Sequence, residues 1–225
     1  MKGFKIMLLG VTLIAMTGSF LSFGQGRKPI CKHILGIGIA GSNDHVYGWF
    51  KDGTVSSGAS NHLDAYRLPY PYSLPRGKSR DDIVGIGIAG SNDHVYVWFK
   101  DGTVSSGTSN DLDRYRKPYR YYLPTGRSTN DIVGIGIAGS NDHVYVWYRD
   151  GMVSSGTSSH VDSYRRPYRY TLAAGKTPND IVGIGIAGSN DRVYVWYKDG
   201  TVSSGSSNDL DKYRKPYRYY LPYTY

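Results

Sequence analysis

One run of residues is written four times. Ile83-Val-Gly-Ile-Gly-Ile-Ala-Gly-Ser-Asn-Asp93, followed by Val95-Tyr-Val-Trp-Phe99, has copies beginning at Ile34, Ile83, Ile132 and Ile181, each 49 residues after the last. A fixed period of this size marks a repeat architecture in which each copy is one unit that buries its apolar surface against the next. The copies span 33–81, 82–130, 131–179 and 180–225, with residues 25–32 as a lead-in. The chain therefore holds four whole units in one domain, 33–225.

Each unit reads as four short strands. In the second copy, 83–89 is the first strand and Gly90-Ser-Asn-Asp93 its turn. Val95–Phe99 is the second, rich in the β-branched and aromatic residues that suit a pleated surface. Asp101-Gly102 then marks a hairpin, and Thr103–Ser106 is a short third strand. Ser109–Tyr115 is expected as a capped helical turn. A fourth strand, Tyr119–Leu123, starts after Pro118 at an edge, where proline and Arg120 are tolerated. Pro124–Asn130 is the linker.

Four strands per repeat is the pattern of a β-propeller blade. Alternation along the first strand puts Ile83, Gly85, Gly87 and Ala89 on one face and Val84, Ile86 and Ile88 on the other. A flat face on one unit can take the bulky face of the next, a head-to-tail contact that closes if the rotation suits. The expectation is an all-β, four-bladed propeller; two chains completing an eight-bladed ring, or an open stack, are the alternatives.

The order of an apolar-small strand, Val-Tyr-Val-Trp-Tyr, Lys-Asp-Gly and a Pro/Tyr-rich outer segment resembles the blades of hemopexin-like four-bladed propellers. In length the unit is also similar to the blades of tachylectin-type propeller lectins. The hemopexin-like resemblance implies a disulfide joining the start of the first blade to the end of the last. Cys31 stands at the first position, but Leu221–Tyr225 holds no partner. Ring closure then falls to face packing, and Cys31 is either a free thiol or a link to a second chain.

The chain opens with Lys2 and Lys5, the apolar run Ile6–Met16, and small residues Ser22 and Gly24 before Gln25. This is the order of a secretory signal peptide cleaved near Gly24-Gln25. This eleven-residue run falls short of the ~20 that span a bilayer, so the expected product is exported and not membrane-spanning. Losing Lys2 and Lys5 takes the formal charge from +9 to +7. Such a protein is drawn to anionic surfaces such as acidic glycans or envelope polymers; the plainer reading is a well-solvated surface.

Gly85-Ile-Gly87-Ile-Ala-Gly90 fits the dinucleotide fingerprint, but a polar turn and a second strand follow it where a helix is required. No copy arranges His and Asp with its serines as a recognisable triad, and glutamate is missing from the chain. Asp93, Asp101, Asp111 and Asp113 belong first to turn chemistry. The chain reads as a binder without a catalytic group or required cofactor. Asp44, Asp93, Asp142 and Asp191 end the first turn of each unit, so a ring gathers them at one mouth beside His45, His94, His143 and Arg192. A structural cation is one use for them, and plain turn structure is the other.

Aromatic residues are the remaining signal, with 22 tyrosines. Trp49, Trp98, Trp147 and Trp196 are expected in the core between blades. The polar outer segments bring Tyr66, Arg67 and Tyr70, then Tyr115, Arg116 and Tyr119, then Tyr164, Arg165 and Tyr168, then Tyr213, Arg214 and Tyr217. Rings of this kind stack on the apolar faces of sugars while Arg and Asp bond hydroxyls or acidic groups; covering the outer edge is the plainer role. Aromatic and basic residues interleaved also suit single-stranded nucleic acid, which an exported protein meets only outside the cell. The leading expectation is a secreted multivalent glycan binder, with an adhesion propeller docking protein or anionic polymer as the alternative.

Overall fold

The computed structural model describes residues 34–222. The leader, its cleavage point and Cys31 lie outside them. Four antiparallel sheets each come from one repeat. Blade 1 holds β1 (Ile34–Ile39), β2 (Val46–Phe50), β3 (Thr54–Ala59) and β4 (His62–Pro71). Blade 2 holds β5 (Ile83–Ile88), β6 (Val95–Phe99), β7 (Thr103–Gly107) and β8 (Arg116–Arg120). Blade 3 holds β9 (Ile132–Ile137), β10 (Val144–Tyr148), β11 (Met152–Gly156) and β12 (Arg165–Arg169). Blade 4 holds β13 (Ile181–Ile186), β14 (Val193–Tyr197), β15 (Thr201–Ser206) and β16 (Asp209–Arg218). The innermost strands β1, β5, β9 and β13 each meet the inner strands of both neighbouring blades. The chain is a closed four-bladed β-propeller.

The glycines of the inner strands make this closure possible. A Cβ placed on Gly36 would stand 2.9 Å from Ile86 Cγ1, and one on Gly38 would stand 2.7 Å from Ile88 Cγ1. Gly85 meets Ile135 and Gly87 meets Ile137 in the same way; Gly134 and Gly136 meet Ile184 and Ile186. The last blade returns to the first, with Gly183 against Ile37 and Gly185 against Ile39. One chain thus shuts its own ring, and neither a second chain nor an open stack is needed to cover the isoleucine face. The glycines of the fingerprint-like run serve this packing, with β6 rather than a helix following them.

Tryptophan fills the space further out. Trp49, Trp98, Trp147 and Trp196 are fully buried, and Trp49 packs with Ile86, Ile88, Val97 and Leu112 of the next blade. Its indole N–H donates to the Ser109 carbonyl across the junction at 3.0 Å, which satisfies the one polar atom such a ring carries into the core. The first of the two buried serines of the third strand is likewise satisfied, Ser105 Oγ donating to the Leu112 carbonyl at 2.8 Å. A side chain on Gly107 would collide with the Asp111 carbonyl, so the third strand has to end on glycine for the chain to fold back.

Two expectations are corrected. Ser109–Tyr115 forms no helix: it is the loop that carries Leu112, fully buried, into the core. There Asp111 makes a parallel bridge with Ser73 of the preceding blade. The outer strand of blade 2 runs Arg116–Arg120 rather than Tyr119–Leu123 and so contains Pro118. Proline fits because this strand is outermost and its missing N–H costs no ladder bond. The linkers are also more ordered than their composition suggests. They hold short 3-10 turns, Arg80–Asp82, Thr129–Asp131 and Pro178–Asp180, each with a reciprocal capping box.

Candidate functional site

The first turns of the four blades gather at one end of the ring. Their aspartates Asp44, Asp93, Asp142 and Asp191 sit in the left-handed region, with φ between 53 and 55, a conformation that Asp tolerates better than most residues. The strained turn aims each carboxylate at the blade before it. Asp93 accepts from the Ser42 backbone N–H at 3.2 Å and from the Ser42 hydroxyl. Ser91 donates in the same way to Asp142, Ser140 to Asp191 and Ser189 to Asp44. A closed circle of serine–aspartate links therefore surrounds the mouth. Among the described residues no three His, Cys, Asp or Glu side chains come together as a metal-holding group.

The residue after each aspartate reaches outward to a tyrosine in the fourth strand (Tyr66, Tyr213) or just before it (Tyr115, Tyr164). The His45 ring stacks on Tyr66 with centroids 4.2 Å apart, His94 on Tyr115 at 4.1 Å and His143 on Tyr164 at 4.1 Å. In blade 4 an arginine takes the imidazole's place, with the Arg192 guanidinium 5.0 Å from the centre of the Tyr213 ring. These tyrosines are the open ones. Tyr66, Tyr115, Tyr164 and Tyr213 are 58, 52, 56 and 53% exposed, so each ring keeps a large free surface beside its support.

The other candidate tyrosines are held between blades. Tyr70, Tyr119, Tyr168 and Tyr217 are half-buried, and their hydroxyls pair with the next blade's Ser109, Ser158, Ser207 and Ser60 at 2.8–2.9 Å. Over their rings lie the guanidinium groups of Arg67, Arg116, Arg165 and Arg214, 3.5–3.7 Å from the centroids. A third tyrosine of the outer segment is buried outright. Tyr72 and Tyr121 donate to the carbonyls of Phe50 and Phe99 at 3.1 Å, and Tyr170 does the same to Tyr148.

Each junction thus carries an open tyrosine on its imidazole or guanidinium support, an arginine–tyrosine stack, and a carboxylate from the next blade. Tyr47 lies among them, half-buried on β2. Burial raises its pKa, as do Tyr70 and Asp93, while Arg67 acts the other way. Tyr96 and Tyr145 repeat this setting in blades 2 and 3. Such a patch offers a flat apolar face beside fixed donors and acceptors. At the opposite end of the blades lies a shallow polar hollow lined by Lys51, Tyr72, Lys78 and Arg80.

The histidine supports were not legible as such: His45 and Tyr66 are 21 residues apart and meet only because the first turn and the outer strand share one end of the blade. The constant offset (His94 to Tyr115, His143 to Tyr164) was the available signal. Arg192 and Lys212, whose ammonium lies 5.8 Å from the Tyr213 ring, were missed as a pair for the same reason. Tyr122 and Tyr220, also exposed, rest on His160 and His62 at the outer rim.

Neither the family models nor the curated proteins compared with this chain contain a match. Among the described residues no helix is long and apolar enough to cross a membrane.

Proposed function

We propose that the protein is a secreted, multivalent glycan-binding propeller without catalytic activity. The observation that carries this reading is the fourfold presentation of an open tyrosine ring braced from one side by His45, His94, His143 or Arg192. A braced ring loses little conformational freedom when a sugar stacks on its free face. The arginine–tyrosine stacks at Arg67, Arg116, Arg165 and Arg214 supply donors beside it. Four weak sites on one rigid body engage a decorated surface by avidity, with gains of about 10²–10⁴ and no new contact. The layout resemblance to hemopexin-like and tachylectin-type propellers belongs to this reading and rests on strand order and blade length.

A glycan array followed by calorimetry on soluble sugars tests it. Binding of at least one sugar class by the folded protein is expected; silence across neutral and acidic glycans overturns it. A second reading, charge-led adhesion to an anionic polymer or protein, is favoured by the exposed Arg116, Lys117 and Arg120 on the outer strand. Salt separates the two. Retention on an acidic polymer that disappears in moderate salt supports adhesion, whereas sugar-competable retention in salt supports the glycan binder.

A further inference from the structure

The four tyrosine platforms differ in the residues that support them. Three rest on histidine and the fourth on arginine. We infer that the blade 4 platform takes the anionic group of an acidic glycan. This deepens the glycan-binding reading and rests on it.

Blade 4 has three fixed cations at its platform. Arg192 and Lys212 lie 5.0 and 5.8 Å from the Tyr213 ring, and Arg214 covers the neighbouring Tyr217. Its nearby carboxylates are already engaged: Asp191 accepts from Ser140, and Asp44 of the next blade accepts from Ser189. A sulfate or carboxylate arriving at Tyr213 meets three cations against these two carboxylates, and among the described residues none of the three cations is ion-paired. Guanidinium is suited to such groups because its donors match their paired oxygens.

In blade 1, Ala65 takes the place of Lys212 and His45 that of Arg192. At the same position blade 2 carries Arg114 beside His94, and blade 3 carries Ser163 beside His143. A guanidinium offers five donors in a planar fork where an imidazole offers at most two, so blade 4 is the platform best matched to an anionic group.

The repeats themselves supply the test, because each exchange places a residue where another blade already carries it. Binding of a short sulfated oligosaccharide is measured by calorimetry at about pH 8 beside an unsulfated one of equal length. Arg192→His should weaken binding of the sulfated sugar about tenfold or more, the scale of a charge-assisted hydrogen bond. His94→Arg, beside Arg114 and Arg116, should add a second tight site. Equal binding of both oligosaccharides, unmoved by either exchange, overturns this inference and leaves the glycan reading standing. Binding of neither overturns both. Retention by anionic lipid vesicles but not by the sulfated sugar overturns the assignment to a glycan.

Discussion

At the scale of single residues, the fold depends on hydrogen atoms where other proteins carry side chains. A methyl group on Gly134 would come within 2.6 Å of both Cγ1 and Cδ1 of Ile184. Because Cγ1 is close to the backbone, the isoleucine cannot simply swing away. Gly134→Ala should therefore destabilise the protein by about 1–3 kcal/mol, the usual cost of overpacking. Trimming the opposing residue should relieve part of it. In urea unfolding, Gly134→Ala combined with Ile184→Ala is expected to cost less than the sum of the two single changes. Additive costs would mean that the glycine face and the isoleucine face are not in register.

At the scale of elements, the linkers and the buried tyrosines set the pH range of stability. Asp82 is held below its ordinary value of 3.8 by the Ser79 hydroxyl and then the Ser79 backbone N–H. Asp131 is lowered by the Ser128 backbone and Asp180 by the Thr177 hydroxyl. A carboxyl whose pKa is depressed on folding contributes stability above its unfolded value, and that contribution is lost as pH falls through the folded one. The tyrosines act in the other direction. Burial pushes Tyr72 and Tyr148 up to about 12 from 10.0, so the folded state keeps a proton that the unfolded chain releases. Their contribution is complete below pH 10 and declines toward 12. Melting temperature against pH should therefore fall at both ends. Ser79→Ala with Ser128→Ala and Thr177→Ala should lower the plateau while flattening the acid limb. An unchanged acid limb would show that these turns are already open in the folded protein.

The elements also show what could be read in advance. The strand count, the Asp-Gly hairpin and the two-faced inner strand follow from local rules, because alternation places Ile86 and Gly85 on opposite faces in any pleated strand. Pro118 misled because a proline at the start of a strand and a proline within an outermost strand leave the same local pattern. Which amide faces solvent is decided by the neighbouring strand. The serine–aspartate circle and the histidine–tyrosine supports were hidden for a related reason. Ser42 and Asp93 lie 51 residues apart in sequence, and only the shape of the ring makes them neighbours.

For the whole molecule, closure comes from like contacts between every pair of blades and not from a strand shared between the ends. The last junction uses the same parts as the first. Tyr220 donates to the Asn61 carbonyl and accepts from Leu63, as Ser73 does with Asn110 and Leu112. A chain permuted to begin at Asp82, with a Pro124–Asn130 linker joining the old ends, should fold to the same ring with a similar melting temperature. A three-repeat chain should not, because one isoleucine face and one glycine face are left uncovered. It is expected to associate in gel filtration. The rigid ring is also what places four braced tyrosines on one end of the molecule, and the functional proposal depends on them. The most direct measurement is the number of sugar molecules bound per folded chain, using the best glycan from the array at saturating concentration. It should be compared with a variant carrying Tyr66→Ala, Tyr115→Ala, Tyr164→Ala and Tyr213→Ala. Four bound sugars for the unaltered protein, and none for a variant that still melts cooperatively, is the predicted result; undiminished binding by that variant would contradict the account.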